Sequence, residues 1–127
     1  MNKIIAALAV LAPLASVACG GAIRVGDAYR DDTVKLVQAQ ANPRIQQCFQ
    51  ALVKASPSPK TLEGTTTVSF VVAPETGLLA NAAIVPGATT TQDPVNQCVL
   101  ASLTGLKLDP PDNVEGDGTF AWQFAVQ

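Results

Sequence analysis

Two cysteines set in matching contexts constrain the fold of this chain more than any other feature. Asn42-Pro43 precedes Cys48, and Asp93-Pro94 precedes Cys98. In each place a residue suited to capping and a proline suited to a first helical turn open a stretch whose apolar residues recur at three- and four-residue spacing. After Pro43 come Ile45, Cys48, Phe49, Leu52 and Val53, with Arg44, Gln46, Gln47, Gln50 and Lys54 on the other side, and Ser56-Pro57-Ser58-Pro59 ends the run. After Pro94 come Val95, Cys98, Val99 and Ser102 or Leu103, with Gly105 as the stop. Both cysteines are therefore expected to face a core from amphipathic helices. A further short helix, with Asp31-Asp32-Thr33 as its cap and acidic first turn, is expected ahead of Pro43.

The third cysteine, Cys19, follows an apolar leader. Lys3 is the one charge before the run from Ile4 to Leu14, and Ala15-Ser16-Val17-Ala18 supplies the small residues of a cleavage region. That is the composition of a secretory signal. The run is shorter than the ~20 residues that span a bilayer, and no other stretch approaches it. Residues 1–18 are thus read as a signal peptide, and no transmembrane helix is expected. Three cysteines in an exported chain leave one over, and an exposed thiol is a liability in an oxidising compartment. Ser16-Val17-Ala18-Cys19 resembles a bacterial lipobox, with Ser16 where leucine is usual, and Gly20-Gly21 would begin a flexible tether. Cys19 is therefore expected to carry lipid, as the sole membrane attachment of an envelope protein that faces the periplasm from the outer membrane. The other outcome, an ordinary signal-peptidase cut, would leave a soluble periplasmic or secreted protein.

Composition narrows the chemistry. The formal net charge is −2 and becomes more negative when Lys3 is lost. There is no run of basic residues, so nucleic acid is not an expected partner. The sequence has no histidine, which removes Ser-His-Asp and Cys-His pairs and the commonest transition-metal ligand. The carboxylates are spread through turns, and Asp112-Asn113-x-Glu115-x-Asp117 lacks the spacing of a calcium loop. No catalytic residue, metal or cofactor is expected, and the chain is read as a non-enzyme.

The remaining segments are read as strands. Thr65 to Ala73 alternates Val68, Phe70 and Val72 with Thr67, Ser69 and Val71. Pro74-Glu75-Thr76-Gly77 turns the chain into a second strand, Leu78 to Val85. Gly116-Asp117-Gly118 leads into Thr119 to Val126, where Phe120, Trp122, Phe124 and Val126 alternate with Thr119, Ala121, Gln123 and Ala125. The expected fold is α+β: helix, strand, strand, helix, strand, with a three-stranded antiparallel sheet covered on one face by two helices. Both cysteine-bearing faces would then meet the same sheet face, which favours a Cys48–Cys98 disulfide. Residues 1–18 would be leader, 19–41 a tether with a short helix, and 42–127 the domain.

These elements resemble a known family. Ile45-Gln46-Gln47-Cys48-Phe49, the strand Leu62-Glu63-Gly64-Thr65-Thr66-Thr67-Val68-Ser69-Phe70-Val71-Val72, Thr76-Gly77, Val95-Asn96-Gln97-Cys98-Val99, and Pro110-Pro111 before an aromatic strand together resemble the AgmX/PglI C-terminal domain, which is similar to the TonB C-terminal domain. The resemblance covers about Pro43 to Gln127. Energy-transducing members carry an N-terminal membrane helix and a long Pro-rich spacer, and neither is read here. What the resemblance implies is a protein-binding module: an envelope partner, its identity unknown, would add a strand along the last strand's edge, at Thr119, Ala121, Gln123 and Ala125. The alternative is a purely structural, disulfide-stapled component of an envelope assembly, contacted through Arg44, Gln47 and Lys54.

Overall fold

Helical structure begins earlier than the capping pattern suggests and runs through Pro43. The structure, a computed structural model, describes residues 2–13 and 27–126. Helix α1, Ala28–Leu36, continues through a π-helical turn, Val37–Ala41, into helix α2, Asn42–Ala55. Two sequence expectations are corrected here. Asp31-Asp32-Thr33 lies inside α1, with Asp31 in its acidic first turn as expected but Asp27 at the cap position, and Asn42 has helical dihedrals (φ −56°, ψ −44°) and does not cap α2. The reason is steric. Proline has no N–H, and its ring presses on the carbonyl four residues back. A wider turn relieves that pressure, and the Asn42 N–H accordingly reaches the Val37 carbonyl. The early start is held by Tyr29, which is buried and donates its hydroxyl to the Val114 carbonyl at 3.0 Å. The stretch from Asp27 to Arg30, read as tether, thus belongs to the folded body.

The sheet core follows the expected pattern. Strands β2 (Gly64–Val72), β3 (Leu79–Ile84) and β4 (Gly116–Val126) are antiparallel, with β2 central between β4 and β3. Helix α3, Asp93–Leu103, lies between β3 and β4 in the chain. The order helix, strand, strand, helix, strand is the α+β arrangement expected, with the continuous α1–α2 helix and α3 as its two helices. Val68 pairs with Phe120 and Thr66 with Trp122, so their side chains share one face. Val68, Phe70, Val72, Phe120, Trp122 and Phe124 are all buried there, against Ile45 and Phe49 of α2 and Val95, Val99 and Leu103 of α3. The Phe49 and Phe124 rings lie 4.8 Å apart, centroid to centroid, at the seam between helix and sheet. Cys48 and Cys98 form the disulfide, with Cα atoms 5.7 Å apart across a sequence separation of 50.

Two connections use pairings that periodicity does not announce. Beyond β3, Pro86–Ala88 makes a short 3-10 turn, and Thr89 to Thr91 returns to β2. Thr90 donates its N–H to the Thr65 carbonyl at 2.8 Å, while Thr89 Oγ1 accepts from the Thr67 N–H at 3.0 Å, a side chain standing in for backbone. Thr66, Thr91 and Asn96 complete a buried hydroxyl–amide network beneath this strip. At the other end, Leu108 donates its N–H to Gly77 and Leu106 accepts from Leu79. The φ of Gly77 is +75°, and a Cβ there would sit 2.2 Å from the Leu108 carbonyl oxygen, so this turn needs glycine.

A fourth strand, β1, comes from the N-terminal segment read as leader. Asn2–Pro13 lies antiparallel to β4, and the full sheet order is β1-β4-β2-β3.

Candidate functional site

The two edges of the three-stranded domain sheet differ in kind. β3 has six residues, and Asn81 within it has φ +55°. Its pairing with β2 shifts between Ser69 and Val71, and its entry is bridged by Leu78 to Lys107. A bulge, a left-handed residue and partial cover are the features that blunt an edge against further pairing. β4 has eleven residues and pairs with β2 without interruption from Gly64↔Phe124 to Val72↔Gly116. Its other side is the one that β1 pairs with.

Which β4 residues face that side follows from hydrogen bonding. On β2, Thr65 and Thr67 direct their backbone groups to the Thr89–Thr91 strip. Successive residues of a strand alternate sides, so Gly64, Thr66 and Val68 face β4, where their partners are Phe124, Trp122 and Phe120. Val126 agrees, since its N–H donates to Glu63 Oε2 at 2.7 Å on the β2 side. Beyond Asp117, the outward N–H and C=O groups of β4 are therefore those of Thr119, Ala121, Gln123 and Ala125. These are the residues singled out from the sequence, and their side chains lie on the sheet face away from the helices, with Gln123 and Ala125 exposed.

The ends of β4 are fixed by groups the sequence did not advertise. Tyr29 lies against Gly116, where a Cβ would meet the ring at 2.7 Å. Glu63 holds Val126 at the far end. Between them, Trp122 donates its indole N–H to Asn42 Oδ1 at 2.9 Å, which ties the strand to the π turn of the helix. A lone tyrosine among charged residues carries no periodic signal. Only the Asn-Pro pair hinted that something other than regular helix would occur at Asn42.

This edge is occupied. β1 pairs along all of β4, from Asn2↔Val126 to Pro13↔Gly116, with one register shift between Ala6 and Leu8. Lys3 stands opposite Ala125, Ile5 opposite Gln123, Leu8 opposite Ala121 and Val10 opposite Thr119. Helices α1 and α2 both approach this strand, so it runs in a slot between helix and β4.

Other chemistry is sparse. Among the described residues, no three His, Cys, Asp or Glu side chains gather in a way that could hold a metal ion. No described helix is long and apolar enough to cross a membrane. Asp112 is buried in the loop before β4 and accepts the Val114 N–H at 3.1 Å, the work of a turn residue. Cys19 lies outside the described residues.

A scan of protein-family models finds no match to the chain, and searches of curated proteins and of solved structures find none either.

Proposed function

We propose that the protein is a non-catalytic binding module of the bacterial cell envelope, anchored by lipid at Cys19, which takes up an extended segment of a protein partner along β4. The observation that carries this reading is the β4 edge: eleven residues of regular strand whose outward side seats an extended segment over its whole length. Strand addition satisfies backbone donors and acceptors that would otherwise be left to water, and draws specificity from alternate side chains. The resemblance to the AgmX/PglI and TonB C-terminal domains supports the same mode of binding.

The test is a photo-crosslinker placed at Ala125 or at Lys54 in the envelope-localised protein, with and without Gln123→Pro. Proline at position 123 removes an outward N–H and leaves the β2 ladder intact. The expected result is a partner adduct at Ala125 that Gln123→Pro abolishes while the near-UV circular dichroism of the variant stays native. An adduct at Lys54 alone would instead favour the purely structural role through the outer face of α2. Intact mass of membrane-extracted protein tests the anchor: a lipid increment on Cys19 is expected, and its absence would leave the protein unanchored.

A further inference from the structure

We propose that in the unprocessed chain the N-terminal segment Asn2–Pro13 caps the β4 edge and excludes a partner strand, so that removal of the leader opens the site. This rests on the reading of β4 as a docking edge and adds its regulation. Three observations support it. First, the segment covers the edge completely, from Pro13 opposite Gly116 to Asn2 opposite Val126, which leaves no free length of ladder for a competitor. Second, the sequence suits the task. From Asn2 to Ala12 every residue has a backbone N–H, Lys3 is the only charge, and Pro13, which has no N–H, comes at the end of the segment opposite Gly116, whose own backbone groups face β2. Third, the segment is held from above as well as from the side, because α1 and α2 approach it.

The cap cannot coexist with export. A segment engaged as the apolar core of a signal is withdrawn from the sheet, and a segment cut away cannot return. The same residues thus serve either to direct the chain or to close its edge, and the edge is free in the form that reaches the envelope.

The experiment uses the full-length chain with its N-terminus intact and the Cys48–Cys98 bridge formed, compared with the same chain carrying Ile5→Pro and Val10→Pro. These two positions stand opposite Gln123 and Thr119. Amide hydrogen exchange is read residue by residue. In the parent chain the amides of Thr119, Ala121, Gln123 and Ala125 should be protected at least tenfold relative to the double-proline chain. Those of Phe120, Trp122 and Phe124, which face β2, should be equally slow in both. Rapid exchange at the four outward amides in the parent chain would overturn the proposal. So would equal loss at the inward ones, because the segment would then be part of the core and no cap.

A second arm places the photo-crosslinker at Ala125 in both chains, mixed with envelope extract. An adduct confined to the double-proline chain is expected, and equal adducts in both would overturn exclusion. If neither chain gives an adduct but the exchange pattern is as stated, the cap stands and the docking reading fails.

Discussion

The bond between Cys48 and Cys98 joins α2 to α3, and its effect on stability can be stated. Closing a loop of about 50 residues restricts the unfolded chain by about 4 kcal/mol on a chain-entropy argument. Cys48→Ser combined with Cys98→Ser should lower the unfolding free energy by about that amount in denaturant titrations. Adding reductant to the parent protein should bring its curve to that of the double variant. A second residue-scale consequence concerns Gly116, which the sequence offers only as one of a pair of glycines near a turn. A methyl group there would lie 2.7 Å from the Tyr29 ring, and forcing such atoms apart costs about 1–3 kcal/mol. Gly116→Ala should therefore lower the melting temperature and weaken the bond from Tyr29 to Val114, seen as a shifted tyrosine hydroxyl or ring resonance. Nothing in the sequence linked Tyr29 to Gly116, because the contact spans most of the chain and neither residue sits in a repeating pattern.

Among the elements, those with a clear period were legible and those built on exceptions were not. The alternation of Val68, Phe70 and Val72, and of Phe120, Trp122 and Phe124, fixed which face of each strand would be buried, since a slip of one residue would expose the whole set. The spacing around Cys48 and Cys98 did the same for α2 and α3. Pro43 misled because its strongest statistical role, at a helix start, coincides with its accommodation by a π turn inside a continuous helix. The Thr89–Thr91 strip escaped notice because side-chain hydroxyls replace part of its backbone pairing. The last strand, expected at the edge of the sheet, is an inner strand of four, because the N-terminal segment pairs with it; that segment was not read as a strand, since an apolar run after a single lysine reads first as an export signal. β3 carries the element-scale prediction. Asn81 sits at φ +55°, where a β-branched side chain is penalised by about 1–2 kcal/mol and asparagine or glycine is tolerated. Asn81→Val should destabilise the protein by that amount in equilibrium unfolding, and Asn81→Gly should leave it close to the parent.

At the scale of the whole molecule, strands β2 to β4 have one blunted side, β3, and one regular side, β4, which β1 covers, and on the proposed function, with β1 removed, this sets a limit on assembly. Building a filament by strand pairing requires each unit to present two complementary edges, one to receive and one to be received. β3, with its bulge, Asn81 and the Lys107 bridge, does not supply the second. A processed chain that pairs through β4 with another copy of itself must do so about a two-fold axis, and that pairing uses up both receptive edges at once. Sedimentation velocity on the processed chain at rising concentration should therefore show monomer and dimer, with no larger species. A ladder of higher oligomers would mean that β3 pairs after all. On that proposal the protein would have a valence of one: whichever strand it accepted, the arrangement would end there, and growth along the sheet would stop where it started.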